Sequence, residues 1–307
     1  MNFPSSLYII GNGFDRYHGI PSDYRDFGRY LEAVDLPTYR EVETYFSVDD
    51  DFWWEFEKQL ANFDADAVID YASQFLMSYG AEDWSDSGHH DYQYELDCVV
   101  EAISTTMRNR FAEWIRQLPI PSSAESFSGE LLPLDLGAIY LNFNYTQTLQ
   151  QTYSIPDSQV LHIHGNASKP ADQLVLGHGW RRTSADSFNH GIDEAEADTR
   201  IIEGNQIIDD YFSATFKPTD LVIARQQPFF RSLKSVRQIL VLGHSLSEVD
   251  VPYFTEIIRN IDVSRVRWRI SYHSDPTDAR ERFSRLGVDI SLASFCRLND
   301  VHQWAQT

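Results

Sequence analysis

The sequence has little cysteine and no long apolar run. Its 307 residues include only 2 Cys, so neither a disulfide framework nor a four-thiolate zinc site is expected. No apolar segment reaches the ~18 to 20 residues of a membrane span. Met1–Ser6 lacks the basic and apolar parts of a signal peptide. These absences predict a cytoplasmic protein with no membrane association.

Basic residues are also scarce. The chain has 25 Lys and Arg against 46 Asp and Glu, a formal net charge of −21 at pH 7. Residues 41–100 hold 16 acidic residues and one basic residue, Lys58, which is typical of a solvated helical face. A protein that binds duplex nucleic acid needs a basic stripe to neutralise phosphates, so direct duplex binding is not expected.

Aromatic and aliphatic residues are plentiful and are arranged in two kinds of pattern. Hydrophobic residues make up 42% of the chain, which favours a folded globular protein. Leu7–Ile10 predicts a buried first strand that ends at Gly11, and the following residues to Leu118 are helical in pattern. The apolar stripe from Leu96 to Leu118 predicts one long helix. After Pro119, aliphatic runs predict strands at 138–145, 159–164, 174–176, 238–242, 266–272 and 288–294, and helices at 249–261 and 277–286.

The alternation of strands and helices predicts an α/β fold: a doubly wound, mainly parallel Rossmann-like sheet with a large helical insertion after the first strand and helix. We expect one domain over 1–307, with its core in 1–30 and 131–307 and the insertion in 31–130. Residues 180–237 have weak periodicity and receive no assignment. They form either a lid over the site or a plain surface excursion.

A glycine-containing turn follows the first predicted strand. Its residues are Gly11, Asn12, Gly13, Phe14 and Asp15. Two glycines let the backbone approach a nucleotide closely, although a tight turn would require them equally. The third glycine of the dinucleotide fingerprint is replaced by Arg16. A carboxylate beside a phosphate is costly unless it binds ribose hydroxyls, a metal or a cationic ring, so Asp15 is a candidate for one of these roles.

Three further turns of this kind follow later strands. Asn142 and Asn144 end one strand, and their amides suit either a polar substrate or a helix cap. His162 and His164 end the next; alternation predicts that they share a face, and His164 before Gly165 suits a general base or a core histidine. The last turn contains Gly243, His244, Ser245 and Asp250, where Ser245 could bind a phosphate or ribose. Because strand ends of this fold converge on one crevice, the four turns together predict a nucleotide ligand.

Several ordered segments resemble the bacterial abortive-infection AbiH family of phage-defence proteins. The segments are LYIIGNGFD with HGIPSDYRDF behind it, WWEFEKQL, LNFNYTQTL, HIHGN, LVLGHG and VLGHSLSEVDVPYF. The same elements are similar, more distantly, to sirtuin-like NAD-binding domains, including the NAD-cleaving ones of phage defence. The resemblance implies NAD as substrate or ligand, no bound metal, a phage-derived trigger and a homo-oligomer.

The resemblance also implies roles for individual residues. Asn144 matches the catalytic amide and His164 the catalytic histidine, while Gly11, Gly13, Gly243 and Ser245 match the two nucleotide-binding turns. Asn12, Asp15 and Thr146 stand where the distant relatives have Ala, Ser and Asp. The implied reaction cleaves the nicotinamide–ribose bond through an oxocarbenium-like sugar. Asn144 would orient water or ribose hydroxyls, His164 would act as base, and Asp15 would lie near the developing positive charge. Without a thiolate zinc module, protein deacylation is not expected.

Two other functions remain open. A metal site for phosphoester hydrolysis is one, although its candidate ligands match no known metal motif. Those candidates are Asp15, His162, His164, His178, His244 and Asp250. The other is a nucleotide sensor that binds its ligand without cleaving it and signals through the helical region.

Overall fold

Short aliphatic runs form the strands of a parallel sheet. The computed structural model describes residues 5–49, 51–80, 88–193 and 195–306. Within these residues six strands form one sheet in the order β3-β2-β1-β4-β5-β6, and every neighbouring pair is parallel. The strands are β1 (Ser6–Ile10), β2 (Ile139–Asn142), β3 (Val160–His162), β4 (Gln238–Leu242), β5 (Arg267–Tyr272) and β6 (Ala293–Arg297). This order is that of a doubly wound Rossmann-like sheet, so the predicted fold class is confirmed.

The central strands are apolar because both of their faces are buried. Along β1, Leu7 and Ile9 belong to one hydrophobic cluster, whereas Tyr8 and Ile10 belong to another. Successive side chains of a strand point to opposite faces, so the alternation feeds a core on each side of the sheet. The register pairs Ile9 with Leu141 of β2 and with Val241 of β4. β1 therefore lies at the centre of the sheet.

The helices are numbered in chain order. They are α1 (Asn12–Tyr17), α2 (Tyr24–Val34), α3 (Leu36–Tyr45), α4 (Phe56–Gln59), α5 (Ala65–Ala72), α6 (Asp91–Glu101), α7 (Met107–Gln117), α8 (Thr148–Tyr153), α9 (Thr199–Ala214), α10 (Thr219–Arg225), α11 (Gln227–Ser232), α12 (Val251–Asn260) and α13 (Pro276–Arg285). Short 3-10 turns occupy Leu60–Asn62, Ser73–Phe75, Gly88–His90, Ala124–Ser126, Asp157–Gln159, Ser184–Asp186, Leu233–Ser235, Glu248–Asp250, Ile290–Leu292 and Leu298–Gln306. Helices α1 to α7 all lie between β1 and β2 in the chain, as the predicted insertion requires.

The contacts of the chain group it into two units. Unit 1 comprises Met1–Asp23, Ile115–Val175 and Pro218–Thr307, and it contains the sheet. Unit 2 comprises Tyr24–Trp114 and Leu176–Lys217, and it is helical. The single domain with its core in 1–30 and 131–307 and its insertion in 31–130 stays a prediction. In addition to residues from the predicted insertion, the helical unit 2 includes residues 176–217, which contain α9.

The predicted long helix is interrupted at its middle. Helix α6 continues through a π-helical segment, Ala102–Thr106, into α7. The hydroxyl of Ser104 donates to the carbonyl of Val100 within this region. The stripe itself is buried, with Leu96, Ile103 and Phe111 at most 1% exposed. These residues therefore form core, and the homo-oligomer stays a prediction.

One predicted strand is wrong and another begins later than expected. Leu174–Leu176 pairs with no strand. Its backbone groups have other partners, because the Val175 amide donates to the carbonyl of His164 and the Tyr145 hydroxyl donates to the Val175 carbonyl. The last strand was predicted at 288–294, but the Asp289 side chain caps a 3-10 turn and delays β6 to Ala293.

Among the described residues, we find no helix that combines the length and the apolar character needed to cross a membrane. The signal-peptide prediction concerns Met1–Ser6, of which 1–4 lie outside the described residues. The acidic segment 41–100 likewise includes positions 50 and 81–87, which are outside them.

Candidate functional site

Two glycine turns pack against each other where the strand order reverses. Gly11 and Gly13 follow β1, and Gly243 follows the neighbouring β4. The Gly13 amide donates to the Gly243 carbonyl at 2.7 Å. A Cβ on Gly11 would lie 2.5 Å from His244 Cα, and one on Gly13 would lie 2.8 Å from Gly243 Cα. The packing of one turn on the other thus requires these glycines, whether or not a ligand approaches them.

The helix after the first turn is short and its first residues are occupied. α1 has six residues, and the Phe14 amide bonds the Gly11 carbonyl. The Asn12 side chain accepts a hydrogen bond from the Ser22 hydroxyl at 2.5 Å. Phe14 is fully buried beside Tyr153, with ring centroids 5.7 Å apart. The structure therefore places Phe14 in the core of unit 1, and a contact between Phe14 and a cofactor stays a prediction.

Asp15 is a buried carboxylate held by two threonines. It is 1% exposed. Thr148 donates to Oδ1 at 2.7 Å and Thr146 to Oδ2 at 2.5 Å. Burial raises the pKa of Asp15 to about 6, and the hydrogen bonds from Thr146, Thr148 and Asn144 offset only part of that rise. Asp15 therefore changes its charge near neutral pH.

Asn144 links the end of β2 to the first glycine turn. Its Nδ2 donates to the Gly11 carbonyl at 3.1 Å, and its backbone amide donates to Asn142 Oδ1 at 3.0 Å. His162 Nδ1 donates to the Asn144 carbonyl at 3.1 Å, while His162 Nε2 accepts from Gln150 at 2.9 Å. This pair of contacts assigns one neutral tautomer to His162, and burial lowers its pKa. His162 therefore holds the loop that carries Asn144.

His164 and His244 flank one carboxylate. His164 Nε2 lies 3.7 Å from Asp250 Oδ1, and His244 Nε2 lies 3.3 Å from Asp250 Oδ2. All three residues are at least nine-tenths buried. The Leu246 amide donates to His244 Nδ1 at 2.9 Å, so the proton of neutral His244 is on Nε2 and faces Asp250. Asp250 is thus placed to orient both rings.

The ring of Phe143 lies next to the rings of His164, His244 and Tyr253. Its centroid lies 5.2 Å from that of His164, 4.3 Å from that of His244 and 5.5 Å from that of Tyr253. Asn144 is the next residue, so the candidate base, the candidate amide and Asp250 are assembled around the ends of β2, β3 and β4 in unit 1.

Two predicted residues are placed differently. Ser245 is exposed, although its neighbour His244 is buried, and its carbonyl accepts a hydrogen bond from Arg282. His178 belongs to unit 2, where it is fully buried beside Trp180 and Phe212. Burial lowers the pKa of His178 to about 4, so it is neutral at pH 7. In the described parts of the chain, no three His, Cys, Asp or Glu side chains are arranged to hold a metal ion.

Sequence reasoning missed Thr148 as a partner of Asp15 and Tyr253 as a neighbour of His164, whose ring centroids are 5.5 Å apart. Nothing in the spacing of Thr148 marks it, because its role depends on a residue far away in the chain. Tyr253 follows Asp250 by three residues, which places both on one side of the start of α12. That spacing is the signal that could have identified Tyr253.

The strand order and the turns at its switch point define a Rossmann-like α/β protein with a candidate ligand crevice in unit 1. The family model described as Bacteriophage abortive infection AbiH matches residues 7–272. The chain therefore belongs to the AbiH family, and its function class is phage defence by abortive infection. No curated protein and no solved structure matches the chain.

Proposed function

We propose that this AbiH-family protein binds NAD, or a closely related nucleotide, at the crevice of unit 1 and cleaves its nicotinamide–ribose bond. The observation that carries the proposal is that His164 lies beside Asp250 after β3, while Asn144 bonds the Gly11 carbonyl after the neighbouring strand β2. Ligands of open parallel sheets bind outside the carboxyl ends of the strands, beside the switch point. A cytoplasmic site of action fits this substrate and the two free cysteines, Cys98 and Cys296.

In the proposed reaction the bond between ribose C1′ and the nicotinamide nitrogen breaks, and nicotinamide leaves with the electron pair. Water adds to C1′ and releases one proton. Asn144 Nδ2 is held by Gly11, so its Oδ1 is the atom to accept a hydrogen bond from water or a ribose hydroxyl. His164 accepts the released proton, and the Asp250 carboxylate stabilises the imidazolium that forms.

The ionised form of Asp15 favours the positive charge that develops on the ribose. A fixed buried carboxylate acts without reorganising during the reaction. Because burial raises the pKa of Asp15 to about 6, the carboxylate is present above that pH and is lost below it. Asn144 is 7% exposed and His164 is 3% exposed, so substrate entry requires the loops after β2 and β3 to open.

The first test is NAD turnover by the purified protein, with and without lysate from phage-infected cells. We expect nicotinamide release, and we expect Asn144→Ala and His164→Ala each to lower kcat by about 100-fold or more. Asn205→Ala is the matched control for Asn144→Ala. Asn205 is also 7% exposed and also donates to a backbone carbonyl, but it belongs to unit 2. Retained NAD cleavage in both active-site variants would contradict the assignment.

A nucleotide sensor is the second candidate, and the hydrogen bonds that occupy Asn144 favour it. The hydrogen bonds of Asn144 to Gly11 and Asn142 would serve equally to stabilise the turns. Calorimetry with NAD and with ADP-ribose separates the two functions. Binding of either nucleotide, with no nicotinamide released in the presence or absence of infected-cell lysate, would establish the sensor. A response that depends on the lysate would reveal the phage-derived trigger.

A further inference from the structure

A cavity of about 280 Å³ lies in unit 1 beside the residues that follow β2 and β3. Tyr145 and Thr146 come from the first of these segments, and Ser168 comes from the second. Leu118 and Ile120 also line the cavity and Arg116 provides a charged group, while most of the exposed lining is polar. The cavity therefore combines apolar side chains with a cation, as a site for an anionic ring compound would.

Arg116 is exposed, and one hydrogen bond holds its guanidinium at this cavity. Its Nε donates to the Ala167 carbonyl at 2.9 Å, and Ala167 also lines the cavity. Among the described residues, no carboxylate pairs with Arg116, and no other charged side chain lines the cavity. In a chain with 46 acidic and 25 basic residues, a cationic cavity is an exception to the overall charge. The terminal nitrogens of the guanidinium are suited to two parallel hydrogen bonds to a phosphate.

We propose that this cavity binds a nucleoside monophosphate group, with Arg116 paired to its phosphate and Leu118 and Ile120 beside its ring. Clefts for drug-sized ligands have about 300 to 1,000 Å³. The volume of this cavity is close to the lower limit, so it suits one nucleoside monophosphate group and not a whole dinucleotide. The inference rests on the proposed function in naming that group as the adenosine monophosphate half of the substrate. Thr146 connects the two sites, because it lines the cavity and its hydroxyl bonds Asp15.

Arg116 also has a structural role that the test must separate from binding. It lies in the last turn of α7, where a cation stabilises the helix end. Arg231 occupies the same place in α11 and is exposed like Arg116, but it does not line the cavity. Arg231→Gln therefore removes the same charge from an equivalent position, and it serves as the matched control for Arg116→Gln.

The experiment is calorimetry of the full chain with AMP, adenosine and inorganic phosphate. We expect AMP to bind more tightly than adenosine or phosphate alone. Arg116→Gln should weaken AMP binding by about 10-fold or more, which is the loss of about 1.4 kcal/mol. Arg116→Lys should give an intermediate affinity because it keeps the charge but not the paired donors. Arg231→Gln should leave AMP affinity unchanged.

Equal AMP affinity in the wild type and Arg116→Gln would overturn the inference, as would a wild type that does not bind AMP. NAD turnover separates this failure from that of the proposed function. If turnover depends on Asn144 while Arg116→Gln leaves KM unchanged, the inference fails and the proposed function stands. If AMP binds through Arg116 and NAD is never cleaved, the inference stands and the proposed function fails.

Discussion

Asp15 shows how a single buried carboxylate couples the candidate site to pH. Burial raises the pKa of Asp15 to about 6 in the folded protein, above the value of about 3.9 expected in the unfolded chain. Between these values the folded state holds a proton that the unfolded state has lost. The contribution of Asp15 to stability is therefore complete below about pH 4 and is lost as the pH rises to about 6. A shift of about two units corresponds to about 3 kcal/mol as an upper value.

We expect Asp15→Asn to stabilise the fold at pH 8 and to abolish NAD cleavage. The amide removes the cost of burying a charge, while its shape still fits between Thr146 and Thr148. Urea unfolding should give a gain of about 1 to 3 kcal/mol at pH 8 that disappears near pH 4. A loss of stability of the same size at both pH values would show that the threonine hydrogen bonds outweigh the burial cost.

Asp289→Asn is the control with the opposite sign. Asp289 is exposed at the start of a 3-10 turn, and the hydrogen bond from the Ser291 backbone lowers its pKa. Its contribution is present above the unfolded pKa and is lost as the pH falls. The variant should therefore lose stability at pH 8 relative to the wild type, and the difference should vanish in acid.

For individual residues, the sequence predicts which side chains follow the strand ends better than it predicts their contacts. Asn144 is a candidate from the sequence because it follows a strand end, where ligands of this fold bind, and its role stays a prediction. Alternation predicts that His162 and His164 share one face, but β3 ends at His162 and the two rings have different partners. The period of two holds only while the strand continues, so it could not be extended to His164.

The two glycine turns act as one element because each leaves no space for a side chain on the other. Gly243 has φ +67°, and a Cβ there would lie 2.1 Å from the Phe14 amide nitrogen. Gly19 has a similar φ, +74°, but nothing lies within 4 Å of its Cβ position. A comparison of Gly19 with Gly243 therefore distinguishes the free-energy cost of a left-handed backbone from the cost of disturbing the packing between the turns.

Gly19→Ala should lower the free energy of unfolding by about 1 kcal/mol, since only the backbone conformation is strained. Gly243→Ala should cost at least about 3 kcal/mol, because the backbone of both turns must also move. Urea unfolding measures both values. Equal costs would mean that the turns separate easily, which would also remove the structural reason for Gly11 and Gly13.

The sequence predicts best those helices and strands whose buried positions are all apolar. β4 matches its predicted bounds because Ile239–Leu242 is buried on both faces. α9 gave no clear periodicity, since it buries the polar residues Arg200, Asn205 and Asp209. Their partners, which include Asp198, Asn189 and Arg182, belong to preceding segments of unit 2. Because each of these polar residues has a partner, it can occupy a buried position of α9. In the sequence such a position cannot be distinguished from one on the surface.

The whole molecule carries a net charge of −21, and this excess opposes the compact state. Like charges in residues 41–100 repel one another unless salt screens them. Added salt shortens the screening length from about 20 Å at about 20 mM to about 6 Å at about 300 mM. The charge is therefore expected to make stability depend on ionic strength.

We expect the melting temperature to rise by about 2 to 5 °C between these two salt concentrations. Differential scanning fluorimetry in NaCl measures the change, and sucrose at matched osmolality is the control for general solute effects. A melting temperature that falls with salt would show that attractive ion pairs, such as Arg182 with Asp209, outweigh the net repulsion. The net negative charge also predicts that the protein does not bind duplex DNA. An electrophoretic shift of duplex DNA by the wild type would contradict that prediction.

The position of β1 in the sheet also has a consequence for biosynthesis. β1 is made before both of its neighbours, which contain Leu141 and Val241, so one of its edges stays unpaired until β4 has been translated. Pairings this distant in sequence form slowly and leave apolar strands exposed in the meantime. The bond between Gly13 and Gly243, and with it the crevice, cannot exist on a nascent chain that lacks β4. A chain that ends before β4 therefore lacks the assembled pair of glycine turns, and any activity that depends on these turns can appear only after β4 has been made.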